Sequence, residues 1–276
     1  GTSPMHVSSL MILDPSTAPK GFDFDSLRQL FLERIHLAPP FRRRLVEVPL
    51  GIHHPIWVED PNFDVDWHLR HIAVPSPGGM AELDELVGHL IAIPLDRTRP
   101  LWECWLIDGV EGGKVALLAK VHHAAIDGEA GEELIVTLLD AQPDGPGTEL
   151  AADPTKADDW EPEHVPSDVE MFGHALLSLS TQPWRVVKTT RRTAKAALQI
   201  RRNNRATPTL TPPPSPFSAP RTSFNHALTP HRAFATRALD LKQVKDIKNT
   251  FDVKVNDVVL ALCAGALRRY LDERGE

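Results

Sequence analysis

Two apolar runs, Leu101–Ile107 and Lys114–His122, flank a short segment that carries Asp108-Gly109 and Gly112-Gly113. Glycine reaches the left-handed backbone that a tight reversal needs, so the two runs are expected to pair as neighbouring antiparallel strands. This hairpin constrains the fold more than any other feature. Alternation along the second strand puts Val115, Leu117, Ala119, Val121 and His123 on one face, and Ala116, Leu118, Lys120 and His122 on the other. The strand therefore ends in two adjacent histidines that point opposite ways while the strand lasts, and the two rings are expected to do different work.

The surrounding pattern mixes strands and helices. Residues 5–13 read as a strand closed by Asp14-Pro15. Phe24, Leu27, Leu30, Phe31 and Ile35 recur at helical spacing, and Pro39-Pro40 close that helix. Residues 42–60 carry two β-like runs broken by Pro49 and Pro55, and Val65–Val74 reads as a further strand. Leu83, Leu86, Val87, Leu90 and Ile91 form the stripe of a second helix that Pro94 ends. A third helix is expected over Glu129–Leu139, a strand over Phe234–Leu239, a helix from Leu241, and a final helix over Val258–Leu271 with Asn256 as its N-cap. Such intermixing predicts an α/β sandwich with a mixed or antiparallel sheet. No G-x-G-x-x-G or G-x-x-x-x-G-K run supports a nucleotide-binding alternative.

Composition narrows the function. A length of 276 residues suffices for a full core, and a formal charge of −7 argues against a nucleic-acid binder. The two cysteines, Cys104 and Cys263, each sit in an apolar run and are expected as free core thiols in a reducing compartment. Ten acidic residues against a single Lys156 fill residues 140–170, as in an exposed linker. Eight Lys/Arg and no acid fill 185–205, interleaved with Trp184, Val187, Leu198 and Ile200. That stretch suits a basic amphipathic helix, whose competing readings are a solvated face and attachment to an anionic membrane or lipid-droplet surface. A proline-rich crossover follows at Thr207–Pro220.

The chemistry concentrates in His122-His123-Ala124-Ala125-Ile126-Asp127-Gly128. An imidazole that titrates near neutrality can take a proton from an acceptor hydroxyl. His123 is assigned as that general base: the resulting alkoxide attacks a thioester carbonyl, and the departing thiolate is reprotonated. Asp127 orients the loop or pairs with an arginine, and Gly128 removes a side chain or permits a tight turn. Chelation of a metal by the histidines and Asp127 is disfavoured, because neighbours on opposite strand faces cannot easily hold one ion and no H-E-x-x-H occurs. No G-x-S-x-G points to a serine hydrolase.

The pattern H-H-x-x-x-D-G resembles the motif of the CoA-dependent acyltransferase superfamily, which includes chloramphenicol acetyltransferase and peptide-synthetase condensation domains. Pro100-Leu101-Trp102, within RTRPLWECWLIDG, resembles the PLW motif of bacterial wax ester synthase/diacylglycerol acyltransferases. Asn256-Asp257, opening NDVVLALCAGALRRYL, resembles their N-D motif, and PMHVSSLMILDP is similar to the start of their first lobe. The resemblance implies a two-lobed chloramphenicol-acetyltransferase-like α/β sandwich that moves a fatty acyl group from acyl-CoA to diacylglycerol or a long-chain alcohol, forming triacylglycerol or wax ester. It implies His123 as base with His122 and Asp127 in support. Asn256 and Asp257 would lie near the substrate, with Asn256 steadying the tetrahedral intermediate, and Pro100, Leu101 and Trp102 would shape the channel. Acyl-CoA is then a cosubstrate, and neither a metal nor another cofactor is expected. Trp102 and Trp105 read equally as core aromatics.

By the same resemblance, residues 1–140 form the first lobe, 141–224 an acidic linker, basic helix and crossover, and 225–276 the opening of a second lobe. The rest of that lobe is expected as a separate, associated fragment. The expected setting is cytoplasmic, peripheral on the inner membrane or on lipid droplets. The rival readings are a condensation-type acyltransferase using carrier-protein thioesters, and a non-catalytic lipid-binding protein of the same fold.

Overall fold

The computed structural model describes residues 5–18, 21–125, 164–178, 189–195, 198 and 220–276. Asp127, Gly128, the helix expected over Glu129–Leu139 and most of the acidic, basic and proline-rich stretches lie outside the described residues. The chain divides into two compact units: residues 1–189 with 230–234, and residues 190–229 with 235–276.

The first unit is built on a four-stranded sheet. Its strands are β1 (His6–Leu13), β4 (Leu69–Ala73), β5 (Trp102–Val110) and β6 (Lys114–His122), in the order β1-β6-β5-β4. β6 pairs antiparallel with both β1 and β5, while β4 runs parallel to β5, so the sheet is mixed. The expected hairpin forms between β5 and β6, with Gly112 and Gly113 at φ of 76° and 70° in its turn. Gly109, at φ 77°, sits where the β5–β6 register shifts, and the backbone of Gly78 packs so closely on Gly109 O that no side chain would fit at position 78. A second, two-stranded sheet pairs β2 (Arg43–Val46) with β3 (Ile56–Glu59).

Both faces of the main sheet are covered, which accounts for the nearly unbroken apolar runs of β5 and β6. On one face, Leu27 and Phe31 of α1 (Phe24–Arg34) pack with Phe41, Trp102, Leu106, Leu117 and Val121. On the other, Leu83, Val87 and Leu90 of α2 (Met80–Ala92) pack with Ile107, Ala116 and Leu118. Asp23 caps α1 by accepting the Ser26 N–H at 2.8 Å. A small third cluster joins Val48 to Met171 and Ala175 of the helical residues 168–178.

The second unit holds the helices Leu241–Thr250, capped by Asp240, and Val255–Arg274, ended by Gly275 at φ 72°. Residues 189–195, from the basic stretch, are helical and exposed. Among the described residues, no helix is long and apolar enough to cross a membrane.

Several boundaries differ from expectation. Phe234–Leu239 is not a strand: among the described residues no strand pairs with it, and its first residue instead packs against the α2 side of the sheet. Val65–Val74 opens as a short 3-10 turn, Val65–Trp67, because the Asp64 carboxylate caps Asp66 N–H. The final helix starts at Val255 with Lys254, not Asn256, in the N-cap position. The Asp257 carboxylate reaches back to accept Lys254 N–H at 2.8 Å, so the helix start is capped from its first turn and not by Asn256. Cys104 is a core thiol, but Cys263 is exposed on the final helix.

Candidate functional site

β6 delivers the histidines to the end of the sheet. His122 N–H bonds the O of Leu101, the residue before β5, at 2.9 Å, and His123 N–H bonds Met5 O at 2.8 Å, one step beyond the β1–β6 ladder. Residues 123–125 then turn, with Ala125 N–H closing on His122 O at 2.9 Å. His123 is exposed and His122 half-buried. Because the ladder continues through His123, the alternation still applies there: His123 belongs to the α1 face and His122 to the α2 face.

His122 is fixed locally. Its Nδ1 lies 3.1 Å from Ala124 N, whose N–H can only donate, so Nδ1 accepts and the neutral ring carries its hydrogen on Nε2. Burial lowers its pKa first, and the charges of Arg97, His6 and His123 lower it further.

Behind His122 lies a polar cluster built around the C-terminus of α2. Helix ends leave carbonyls without intrahelical partners, and cations are favoured there. Lys120, fully buried on the His122 face, donates to Ile93 O at 2.7 Å and Leu90 O at 3.1 Å, and pairs with Glu103 at 3.2 Å. His6 Nε2 donates to Ile91 O at 2.8 Å. Burial lowers the pKa of Lys120, and Glu103, directly across the strand pair, works against that shift.

Pro100, Leu101 and Trp102 are all buried. Leu101 supplies the carbonyl that receives His122 N–H. Trp102 stacks on Phe31, Phe41 and His68 and donates its Nε1–H to Phe41 O at 2.8 Å. His68, under that indole, donates Nδ1–H to Trp102 O at 2.8 Å, and burial lowers its pKa.

The sign of that shift sets a pH dependence. A histidine held neutral in the fold but free to protonate when unfolded has its ordinary value, 6.5, lowered on folding. Above that value it adds no slope. As pH falls from there towards the folded value, the unfolded chain takes up a proton that the fold refuses, and stability drops by up to about 1.4 kcal/mol per pH unit for each such group. Urea unfolding between pH 7 and pH 5 should show this loss, with a shallower slope in His68→Phe. An identical slope in that variant would exclude His68 as a source.

A cavity of about 120 Å³ adjoins the turn after the histidines, lined by Pro40, Arg43, Trp57, Ala124 and Ala125. It combines apolar walls with one guanidinium. Cys104, buried in the core with its thiol pushed up to about 12, is no nucleophile at neutral pH.

Sequence patterns did not single out His6, Glu103, Arg43 or Trp57. Lys120 carried a readable signal, a cation inside an apolar strand on the His122 face. Asn256 and Asp257 lie in the first turn of the final helix, in the second unit, where Asn256 is exposed. Among the described residues, no group of three His, Cys, Asp or Glu side chains could hold a metal ion.

A mixed sheet with helices on both faces, ending in a histidine pair beside a small cavity, defines an α/β sandwich protein with its candidate site at a strand end. The wax ester synthase/diacylglycerol acyltransferase catalytic domain matches residues 1–259. A Mycobacterium tuberculosis protein named as a diacylglycerol O-acyltransferase is 40% identical over 275 residues, covering 100% of this chain and 57% of its own length. Another of the same name and species is 40% identical over 277 residues, covering 99% of this chain and 52% of its own. The structure of a wax ester synthase/diacylglycerol acyltransferase from Marinobacter aquaeolei VT8 superposes with a TM-score of 0.59 at 29% identity, over 99% of this chain and 57% of that one. The chain belongs to the wax ester synthase/diacylglycerol acyltransferase family, and it spans about half the length of these relatives.

Proposed function

We propose that the protein transfers a fatty acyl group from acyl-CoA to the hydroxyl of diacylglycerol or a long-chain alcohol, with His123 as general base. The observation that carries this reading is the position of His123. It is the first residue past a central strand, exposed, in a turn whose next two residues line a cavity. The His123 imidazole takes the proton of the acceptor hydroxyl, the alkoxide oxygen attacks the thioester carbonyl, and the tetrahedral intermediate collapses with loss of the CoA thiolate. The protonated imidazole returns its proton to that thiolate. His122 supports the base from the opposite strand face, and Asp127 and Gly128 support it as members of the same motif. Asn256 steadies the tetrahedral intermediate, and Asp257 holds the helix turn that presents it. Pro100, Leu101 and Trp102 shape the site from the core, through the carbonyl that Leu101 offers His122.

The experiment is a donor comparison with the intact protein: acyl-CoA against the same acyl group on an acyl-carrier protein, with diacylglycerol and a long-chain alcohol as acceptors. Ester formation from acyl-CoA is expected. Transfer only from the carrier protein would replace this reading with a condensation-type reaction, and no transfer from either donor would leave a lipid-binding role.

A further inference from the structure

His6 faces His122 across the β1–β6 ladder. The adjacent pair, Met5 and His123, is hydrogen-bonded, whereas His122 N–H turns away to the O of Leu101, just before β5. Bonded and non-bonded pairs alternate along an antiparallel ladder, so His6 and His122 form a non-hydrogen-bonded pair. In such pairs the facing Cα atoms come to about 4.5 Å and the side chains lie closest.

The hydrogens on both rings follow from their partners. His6 Nε2 lies 2.8 Å from Ile91 O, and a carbonyl only accepts, so Nε2 carries the hydrogen and Nδ1 is bare. His122 has the same tautomer, with Nδ1 occupied by Ala124 N–H and the hydrogen on Nε2. A bare acceptor and an N–H donor therefore stand on facing residues. His6 Nδ1 is buried and has no hydrogen-bond partner among the described residues, a state that calls for a reason in a native fold. The charged groups around the two rings are Lys120 and His123 from β6 and its turn, Glu103 from β5, Arg97 from the loop after α2, and Arg232. Burial comes first in keeping both imidazoles neutral at pH 7 and so in these tautomers; at His6 the Ile91 bond opposes it, and the neighbouring cations add to it at both rings.

We propose that His6 is a positioning residue for His122: as the site orders around substrate, His6 Nδ1 accepts the His122 Nε2–H. His122 is then held at both nitrogens, and the turn that carries His123 is set. The bond is open in the unloaded arrangement, as is common for hydrogen bonds of catalytic sites before substrate binds. The kinetic arm of the test rests on the acyltransferase reading; the spectroscopic arm does not.

Two substitutions in the intact protein separate the His6 nitrogens. His6→Asn keeps an acceptor near the Nδ1 position and gives up the bond to Ile91 O. His6→Phe keeps the ring volume and gives up both. His6→Phe should lower kcat about tenfold with KM for acyl-CoA within about twofold, and His6→Asn should stay within about threefold of the parent. Equal losses in the two variants would assign the effect to the Ile91 bond, hence to packing, and would overturn the proposal. Histidine-15N NMR, run free and with a non-hydrolysable acyl-CoA analogue, should show nitrogen–nitrogen coupling across a His122–His6 hydrogen bond in at least one state. Coupling in neither state overturns the proposal. A parent protein that shows the coupling but makes no ester would refute the acyltransferase reading alone.

Discussion

His123→Ala should cut acyl transfer by about 10²- to 10⁴-fold in kcat, the range a positioned general base contributes. The loss should fall on kcat, with KM for acyl-CoA changed only a few-fold, because the proton transfer exists in the transition state and not in the bound ground state. Folding should be nearly untouched: His123 is exposed, and the ladder bond to Met5 O uses its backbone N–H, which alanine retains. A melting temperature close to the parent value would confirm that the loss is chemical. Acyl transfer at the parent rate in a folded His123→Ala protein would move the base elsewhere; His122, held neutral at pH 7, could take that role only by giving up the Ala124 N–H bond at its Nδ1.

The second large effect concerns stability. Trp102→Ala should destabilise the fold by about 3–5 kcal/mol, the usual cost of emptying a large aromatic from a packed core. Trp102 is 2% exposed, lies in a stack with Phe31, Phe41 and His68, and holds Phe41 O through its indole N–H. Alanine leaves a cavity and an unpaired buried carbonyl together. Denaturant unfolding of the intact protein measures the difference. A loss below about 1 kcal/mol would mean that the core closes over the gap, and that the packing described around Trp102 is not what holds β5 in place. Because the neighbouring Leu101 O receives His122 N–H, a milder variant that folds, such as Trp102→Phe, should still lower kcat by loosening the strand end.

The two effects show how differently motif residues can act. His123 meets solvent, while Trp102 never does, yet one strand pair connects them: Trp102 lies opposite Val121, two residues before His123.

Much of this architecture was legible locally. The glycines of the β5–β6 turn, the apolar stripe of α2 and the stop at Pro94 depend on residues a few positions apart, where sterics and side-chain period act without reference to the rest of the chain. The opposite facing of His122 and His123 belongs to the same class, since strand alternation needs only the strand. Failures appeared where a local signal competed with a contact from elsewhere. Asn256 is a good cap by residue type, but Asp257 reaches back to Lys254 and shifts the helix start. Phe234–Leu239 has strand composition, yet its first residue packs against the α2 layer and no sheet edge among the described residues pairs with it.

The sequence by itself determined the hairpin, the two flanking helices, the histidine pair at a strand end and, through its motifs, the family. Only the tertiary structure decided that β1 lies beside β6 in the register that sets His6 against His122, that Lys120 is buried against the end of α2, and that Arg43 and Trp57 from a separate small sheet close a cavity beside Ala124 and Ala125. The reason is physical. His6 and His122 are separated by most of the first unit, and no local propensity encodes a pairing at that distance. Register is set by which faces must be buried, and burial exists only once the helices have covered the sheet.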